Sequence, residues 1–317
     1  MGGRIGGMIL RHPDEAIAIT GGSGVLGASL IGQLKAGGAR EIRVFDQRPP
    51  ANPQGIVYRR GSILQTDELK STFQGCSLVI HLAALTDAAL CSADPLSCAE
   101  INTFGTACVL EACRRSGVRR LVYASTGHVY GIPERLPVDE QHPARPRSVY
   151  GASKLAAEVL ISGATGGQLT AVVARLANMY GPGYANNTVV GRAIEQTLRG
   201  EPIQLRSLAE ARDFLFVEDA AEALIQLSGL AREISGVEIV NVSSGFAVPI
   251  SDLVGKLQSA AIRAGLPKPK LLPPSGNSDS DVPKFFLSND KLRERTGWIP
   301  LTSLEDGLVQ SLDPKSV

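Results

Sequence analysis

Short apolar runs alternate with helical stretches in the first half of the chain. Four runs have the pattern of strands, and two longer stretches between them have that of helices: 16–20, 41–46, 77–83 and 120–125 for the strands, 25–36 and 95–116 for the helices. Strands that alternate with helices are typical of βαβ units and of a parallel sheet covered on both faces. The pattern therefore predicts a doubly wound, Rossmann-type α/β fold.

The helix over 95–116 has clear end signals. Asp94 is a suitable N-cap, Pro95 suits the first turn, and Gly117 is a suitable end. We therefore predict one continuous helix between these residues.

The pattern changes after Arg175. Glycine and proline gather at 180–187 and at 266–279, which favours loops. Residues 213–227 and 236–244 have the pattern of a further helix and strand, which can return to the first sheet. We predict a Rossmann-type domain of 1–176 plus about 212–243, and a smaller lobe of about 177–211 plus 244–317.

The composition excludes several classes of protein. Of 317 residues, 44% are hydrophobic and 20% charged, which is ample for a packed core. The formal net charge of +1 gives no basic footprint for nucleic acid, and no apolar run approaches the roughly 20 residues that span a membrane. The first 15 residues contain no sustained apolar segment, so we expect no secretory signal and a cytoplasmic protein.

Five cysteines lie within one stretch of the chain. They form no CxxC pair, so we expect no metal site, and we interpret them as reduced residues of the core: Cys76, Cys91, Cys98, Cys108 and Cys113.

A glycine-rich turn follows the first predicted strand. In TGGSGVLG, Gly21, Gly24 and Gly27 allow a tight turn, close approach of a phosphate and close packing of the next helix. Ser23 and Val25 lie in the same turn, where the helix N-terminus offers free N–H groups to a pyrophosphate. The turn alone is a weak signal for a dinucleotide.

The next strand strengthens this signal. It ends in Asp46, 19 residues after Gly27, close to the spacing of about 20 expected for the acid that binds the adenosine ribose. A carboxylate there favours NAD over NADP, whereas Arg48 could accommodate a 2′-phosphate. NAD is the preferred cofactor, and NADP stays open.

A second set of residues has the chemistry of proton transfer. Tyr150 and Lys154 are four residues apart on a predicted helix, so they share one face. A nearby ammonium lowers the pKa of a tyrosine, which suits removal of an alcohol proton. Ser125 and Thr126 precede them at the end of a strand, where a hydroxyl can bind the reacting oxygen.

Taken together, the motifs resemble the extended short-chain dehydrogenase/reductase family, and within it the NAD-dependent epimerase/dehydratase group that acts on nucleotide sugars. The similarity runs from about residue 16 to about 308. It rests on nine motifs in order: TGGSGVLG, Asp46, HLAA at 81–84, NTFGT at 102–106, STGHVYG at 125–131, YGASK at 150–154, RLANMYGPG at 175–183, RDFLFVEDAAEAL at 212–224 and GWIP at 297–300.

The resemblance implies roles for the matching positions. Catalysis would use Thr126, Tyr150 and Lys154. Further cofactor contacts would come from Ser62, Ile63, Leu82, Ala83 and Ala84, and substrate contacts from Thr86, Thr126, Asn178 and Arg212. The Rossmann-type domain would bind the dinucleotide, and the smaller lobe the substrate.

Three positions depart from the family pattern. Dehydratases of the family have Asp and Glu where this chain has Gly127 and His128, so the elimination chemistry loses its acid. Ser62 replaces the usual Asp near adenine, and residues 206–214 lack the usual Gly-Asp-Gly turn. His128 either takes part in catalysis or packs behind its loop.

The resemblance therefore favours a nucleotide-sugar 4-epimerase that oxidises C4 transiently and returns the hydride. A net 4-ketoreductase or sugar dehydrogenase using NAD(P)H is the alternative, and a non-catalytic dinucleotide sensor is a third hypothesis. The helices around 95–116 and 149–163 lie where relatives pair, so we expect a homodimer.

Overall fold

The computed structural model describes residues 15–184, 188–276 and 282–313. The expectation of no secretory signal concerns the first 15 residues, of which only Glu15 is among the described residues. Part of the predicted loop at 266–279 also lies outside the described residues.

Within the described residues, the chain forms twelve strands and eleven α-helices. The strands are β1 (Ala16–Thr20), β2 (Glu41–Asp46), β3 (Val57–Arg60), β4 (Leu78–His81), β5 (Arg120–Thr126), β6 (Thr170–Leu176), β7 (Asn178–Tyr180), β8 (Ala211–Arg212), β9 (Phe214–Phe216), β10 (Val237–Val242), β11 (Val248–Pro249) and β12 (Lys284–Phe285). The helices are α1 (Val25–Ala36), α2 (Thr66–Phe73), α3 (Ala88–Ala93), α4 (Pro95–Ala99), α5 (Gly105–Ser116), α6 (Val149–Ala164), α7 (Val189–Leu198), α8 (Val217–Leu230), α9 (Ile250–Arg263), α10 (Asp290–Thr296) and α11 (Leu304–Ser311).

Seven strands form the central sheet, in the order β10-β6-β5-β4-β1-β2-β3. The pairs β3–β2, β2–β1, β1–β4 and β4–β5 are parallel. The chain moves outward from β1 to β3, then returns to β4 and proceeds the other way. Since parallel crossovers are right-handed, this reversal places helices on both faces. The doubly wound Rossmann-type fold is confirmed, and β10 does return to the first sheet.

The prediction of one helix over 95–116 is wrong in its middle. Helix α4 begins as predicted, with the Asp94 carboxylate accepting a hydrogen bond from the Ser97 N–H, and α5 ends at a left-handed Gly117. Between them, Glu100–Phe104 form a π-helical turn. A π turn inserts an extra residue into the helix and changes which side chains share a face.

The chain divides into two compact units. The first comprises the described residues up to Ser125 together with Ala152–Ala174 and Ala221–Ile239, and the second comprises Thr126–Gly151, Arg175–Ala220 and the described residues from Val240 onward. Which unit binds the dinucleotide and which the substrate stays a prediction at this point.

Each unit has its own apolar core. In the first, strands of the central sheet pack against α2, α5 and α6 through residues such as Phe45, Phe73 and Ile161. In the second, α7, α9 and α11 pack around Tyr180, Phe214 and Phe216. A two-stranded sheet, β7-β9, and a three-stranded sheet, β11-β8-β12, complete the second unit.

All five cysteines are buried, as predicted for residues of the core. No helix within the described residues is both long and apolar enough to cross a membrane. Those residues also contain no cluster of three or more His, Cys, Asp or Glu side chains suited to a metal ion.

Candidate active site

The fold itself requires two of the three predicted glycines in the turn after β1. Gly21 has a left-handed backbone with φ +74°, and a Cβ there would lie 2.5 Å from the Ala83 nitrogen. A Cβ on Gly27 would lie 2.6 Å from the Cα of Gly22, because α1 packs closely against the turn. Both glycines are therefore explained by the packing of this unit.

Gly24 has no such internal reason. Its φ of −77° suits any residue, and the nearest atom to an added Cβ is the Gly21 carbonyl oxygen at 3.5 Å. Gly24 is also the N-cap of α1, and no side chain caps the N–H groups there. A bare backbone next to uncapped N–H groups is what a pyrophosphate needs at a helix N-terminus.

Asp46 lies beside this turn at the end of β2. Its Oδ2 accepts a hydrogen bond from the Ser23 N–H at 3.0 Å, and its Oδ1 accepts one from the Arg48 N–H at 3.1 Å. The Ser23 hydroxyl donates to the Arg48 carbonyl oxygen at 2.6 Å. These bonds fix the carboxylate next to the glycine turn, while the Arg48 side chain is exposed.

The segment after β4 completes this edge of the sheet. The Leu82 N–H donates to the Thr20 carbonyl oxygen at 3.0 Å, and Ala83 lies against Gly21, with Ala84 following. Because β1, β2 and β4 are parallel neighbours, their carboxyl ends form the crevice in which such folds bind dinucleotides. The residues present therefore fit NAD.

The remaining predicted cofactor residues lie on the segment after β3. The Ser62 N–H donates to Gln65 Oε1 at 2.7 Å, and the Ser62 hydroxyl accepts from the Leu64 N–H at 3.3 Å. Ile63 is buried in the core of the first unit. Thr86, predicted to contact the substrate, is exposed beyond β4 in the same unit.

Lys154 is enclosed in the first unit, with 2% of its surface exposed. Its Nζ lies 4.2 Å from the centre of the Tyr123 ring, a cation–π distance. Burial lowers the pKa of Lys154 to about 7, although the nearby Glu158 and Cys98 act in the opposite direction. Helix α6 carries both Lys154 and Tyr150, one turn apart.

The second unit contains a cavity of about 370 Å³, a volume within the range of small-molecule sites. Two predicted substrate residues, Asn178 and Arg212, line it, as do the two positions that depart from the dehydratase pattern, Gly127 and His128. The other lining residues come from four separate segments: Gly131, Ile132, Arg147, Ser148, Leu176, Ala177, Val282 and Phe285.

Tyr150 and Thr126 lie next to His128 in this unit. The Thr126 hydroxyl oxygen accepts a hydrogen bond from the His128 N–H at 3.2 Å. The His128 and Tyr150 rings meet edge to face, with centres 5.7 Å apart. Surrounding protein, and secondarily the charge of Arg212, lowers the pKa of His128. The imidazole, which opens into the cavity, is therefore neutral at pH 7.

A buried carboxylate follows Arg212, one of the residues that line the cavity. Asp213 accepts hydrogen bonds from the Ser244 N–H and hydroxyl, at 3.0 and 2.6 Å, and from the Leu287 N–H at 3.2 Å. Burial raises the pKa of Asp213 to about 6 in spite of these donors. Its carbonyl oxygen accepts from Asn178 Nδ2 at 3.2 Å, which places this amide beside Arg212 of β8.

Sequence reasoning missed several cavity residues, above all Arg147 and Ser148. They lie just before Val149, the first residue of α6, and the Arg147 stem runs close to Gly131, whose added Cβ would lie 3.3 Å from Arg147 Cγ. A basic residue three positions before the YGASK motif was the available signal. Among the described residues that line the cavity, two are arginines and none is acidic.

The chain matches the model of the NAD dependent epimerase/dehydratase family over residues 17–243. The UDP-glucose 4-epimerase of Mycolicibacterium smegmatis is 28% identical over 312 residues, which cover 93% of this chain and 96% of that protein.

Several solved structures are also similar to this chain. MoeE5, solved with UDP-glucose and NAD and also with UDP-glucuronic acid and NAD, is 28% identical, with TM-scores of 0.83 and 0.82 over 94% of this chain and 97% of the other. The UDP-glucose 4-epimerase of Thermus thermophilus, solved with NAD, is 30% identical, with a TM-score of 0.82 over 94% and 98%. This chain belongs to the NAD-dependent epimerase/dehydratase family and is an enzyme of that family, with NAD as its cofactor.

Proposed function

We propose that the chain is a nucleotide-sugar epimerase that inverts C4 of the sugar. The observation that carries this proposal is the cavity of the second unit. His128, Asn178 and Arg212 line it, and His128 in turn contacts the Thr126 hydroxyl and the Tyr150 ring. A hydroxyl, a phenol, an amide and a guanidinium are the groups needed to hold a sugar and a phosphate while one alcohol is deprotonated.

In this proposal Tyr150 accepts the proton of the sugar O4. A phenol is a weak base at pH 7, because its pKa is about 10, and an ammonium one helical turn away favours the phenolate. Lys154 is that ammonium on α6. The Thr126 hydroxyl, held at the end of β5, hydrogen-bonds the same oxygen and orients it.

When bound, NAD would supply the chemistry of reversible hydride transfer at C4. The glycine turn leaves the backbone at Gly24 free for the pyrophosphate, and the Asp46 carboxylate would accept hydrogen bonds from the hydroxyls of the adenosine ribose. The remaining contacts proposed for NAD come from Ser23, Val25, Arg48, Ser62, Ile63, Leu82, Ala83, Ala84 and Lys154, together with Gly21, Gly27 and Tyr150.

Arg212 and Asn178 are proposed to hold the substrate, with a smaller contribution from Thr86. A guanidinium binds phosphate oxygens in pairs, and Arg212 keeps its place through a hydrogen bond of its Nη1 to the Ala211 carbonyl oxygen at 2.9 Å. The named relatives act on or bind UDP-sugars, so UDP-glucose and UDP-galactose are the first substrates to test.

The first experiment identifies what the protein carries. The protein is purified without added cofactor, denatured, and the released molecules are measured by mass spectrometry. Retained NAD near one per chain, together with interconversion of UDP-glucose and UDP-galactose without net change in NADH absorbance, is the expected result. Tyr150→Phe is the control, which should retain NAD and lose the interconversion.

Two other outcomes contradict the proposal. Exchangeable NAD or NADPH with stoichiometric oxidation or reduction of a sugar nucleotide would make the chain a ketoreductase or dehydrogenase, and the exposed Arg48 would then be the residue to test for NADP. Cofactor binding with no turnover, unaffected by Tyr150→Phe, would make it a dinucleotide sensor.

We also propose that the enzyme is a cytoplasmic homodimer. Large apolar side chains are exposed on α3, α4, the π turn and α6 of the first unit, namely Leu90, Leu96, Phe104, Val159 and Leu160. Exposed apolar side chains in this number favour association of copies. Light scattering should give twice the 33.4 kDa of the chain, and a value near 33.4 kDa would contradict the dimer. Five buried free cysteines fit a reducing compartment, which cell fractionation would test.

A further inference from the structure

Glu158 is a buried carboxylate in the first unit with no role in the chemistry described so far. It lies on α6 one helical turn beyond Lys154, and 4% of its surface is exposed. The helix therefore carries two charged groups out of water at adjacent turns of the same face. Burying a carboxylate is costly unless it is paired and hydrogen-bonded, so its presence needs a reason.

A hydroxyl from the neighbouring strand fixes this carboxylate. The Ser125 hydroxyl, at the end of β5, donates a hydrogen bond to Glu158 Oε1. The bond replaces part of the hydration that the buried oxygen loses. Ser125 is 3% exposed, so water competes little for this contact.

The surroundings of Lys154 show what the carboxylate does. Burial favours the neutral amine and lowers the pKa of Lys154 to about 7, while the charge of Glu158 acts most strongly in the opposite direction and Cys98 less so. The Tyr123 ring faces the ammonium. His81 is neutral, because burial and the charge of Lys154 lower its pKa to about 3. Glu158 is thus the main group in favour of the ammonium.

We propose that Glu158 is a positioning residue of the reaction, which keeps Lys154 protonated and is itself held by Ser125. The inference rests on the proposed function only in that Lys154 is taken to serve Tyr150. A neutral Lys154 would no longer stabilise the phenolate. Loss of the Glu158 charge therefore narrows the pH range of catalysis without removing any group that touches the substrate.

Glu158→Gln tests this with little change of shape. The amide oxygen can still accept the Ser125 hydrogen bond, but the charge is gone. Activity that needs a protonated lysine is lost as the pH rises through the lysine pKa, so the alkaline limb of the kcat profile should move to lower pH. A neighbouring charge typically shifts a pKa by one unit or more, which gives about a tenfold loss of kcat on the alkaline side of the profile and little change on its acid side.

Three further variants separate the charge effect from a structural one. Glu158→Asp keeps the charge and should restore much of the wild-type profile. Ser125→Ala removes one hydrogen bond from the carboxylate and should shift the limb in the same direction by less. Glu111→Gln, on the exposed side of α5 where it pairs with Arg114, should leave the profile unchanged. Should Glu158→Gln fold poorly, Ser125→Ala still tests the inference.

A direct titration keeps this inference apart from the proposed function. NAD-loaded protein is labelled with ¹³C at the lysine Cε, the Lys154 signal is assigned from Lys154→Met, and its shift is followed against pH. The midpoint should fall by about one unit in Glu158→Gln. An unmoved midpoint overturns the inference, whatever happens to activity. A lower midpoint in a chain without epimerase activity supports it and refutes the proposed function instead.

Discussion

Single substitutions in the glycine-rich turn after β1 distinguish a glycine that folding requires from a glycine that cofactor binding requires. In Gly21→Ala, the new residue must adopt φ +74°, which costs an L-residue about 1–2 kcal/mol. Its Cβ would also lie 2.5 Å from the nitrogen and 2.7 Å from the Cα of Ala83. These are backbone atoms of the segment after β4 and cannot rotate away, so relief requires a shift of the turn at a further cost of about 1–3 kcal/mol.

The expected loss for Gly21→Ala is therefore about 2–5 kcal/mol of unfolding free energy, the sum of these two costs. A domain is stable by only about 5–15 kcal/mol, so the change should be obvious in urea denaturation of the protein.

Gly24→Ala is the matched control. Its φ of −77° is ordinary, and 3.5 Å to the Gly21 carbonyl oxygen is normal contact, so stability should change by less than about 0.5 kcal/mol. Its methyl group would, however, stand where a pyrophosphate approaches the backbone. We expect NAD binding, measured by calorimetry, to weaken about 10- to 100-fold, the equivalent of one charged hydrogen bond.

The reasoning fails if the two variants behave alike. Equal destabilisation would mean that Gly24 is also required by packing, and unchanged NAD affinity in Gly24→Ala would mean that the pyrophosphate does not approach this turn.

Two further changes test the second unit. Tyr150→Phe removes the proposed proton acceptor, so kcat should fall about 100- to 10,000-fold with NAD content unchanged, and activity within tenfold of wild type would exclude Tyr150 as the base. Asp213→Asn presents an amide N–H₂ to donors that now bind a carboxylate, so unfolding free energy should fall by about 1–3 kcal/mol. Because burial raises the pKa of Asp213 to about 6, the folded state binds its proton more tightly than the unfolded state, and this contribution to stability is lost as the pH rises from about 4 to about 6. The stability difference between wild type and variant, from urea curves at several pH values, should therefore shrink over that window, and a constant difference would show that Asp213 does not titrate there.

Local signals in the sequence were sufficient to predict the bounds of the first β-α-β unit. The predicted strands 16–20 and 41–46 and the helix 25–36 agree with β1, β2 and α1 residue for residue. Each is bounded by its own turn residues, and each buries apolar residues at the spacing of its own type of element, consecutive or nearly so in the strands and three to four apart in the helix. Such elements are defined within a few residues of sequence, so no knowledge of distant contacts is needed.

The π turn inside the predicted helix 95–116 has a cause that is distant in sequence. The Asn102 side chain accepts from the Leu85 N–H at 2.8 Å, donates to the Leu85 carbonyl oxygen at 3.0 Å, and donates to Ser153 Oγ at 2.9 Å. These partners lie 17 and 51 residues away along the chain. The helix end signals at Asp94 and Gly117 do not indicate these contacts of Asn102.

The cavity shows the same limit at the level of the site. Asn178 and Arg212 were identified from motifs, and both line it. Arg147 and Phe285 also line it, although 138 residues of sequence separate them and neither belongs to a recognisable motif. Tertiary packing decides which segments of the chain meet at the cavity, so the spacing of residues along the sequence could not predict Arg147 and Phe285.

The ionisable groups of the cavity bear on which reaction it can perform. Elimination from a 4-keto sugar needs a base for the C5 proton and an acid for the departing hydroxyl, in addition to Tyr150. The described residues that line the cavity include no Asp or Glu, and the surrounding protein and the charge of Arg212 lower the pKa of His128, which disfavours its acidic, protonated form. This lining favours the proposed exchange of a single proton at O4 over elimination.

Turnover in D₂O should consequently leave no deuterium bonded to carbon, because the C4 hydrogen returns as hydride. Mass spectrometry and NMR of the sugar nucleotide would detect it. Deuterium at C5, or a product lighter by one water, would show that His128 or a residue outside the described set supplies the acid, and would assign the chain to elimination chemistry instead.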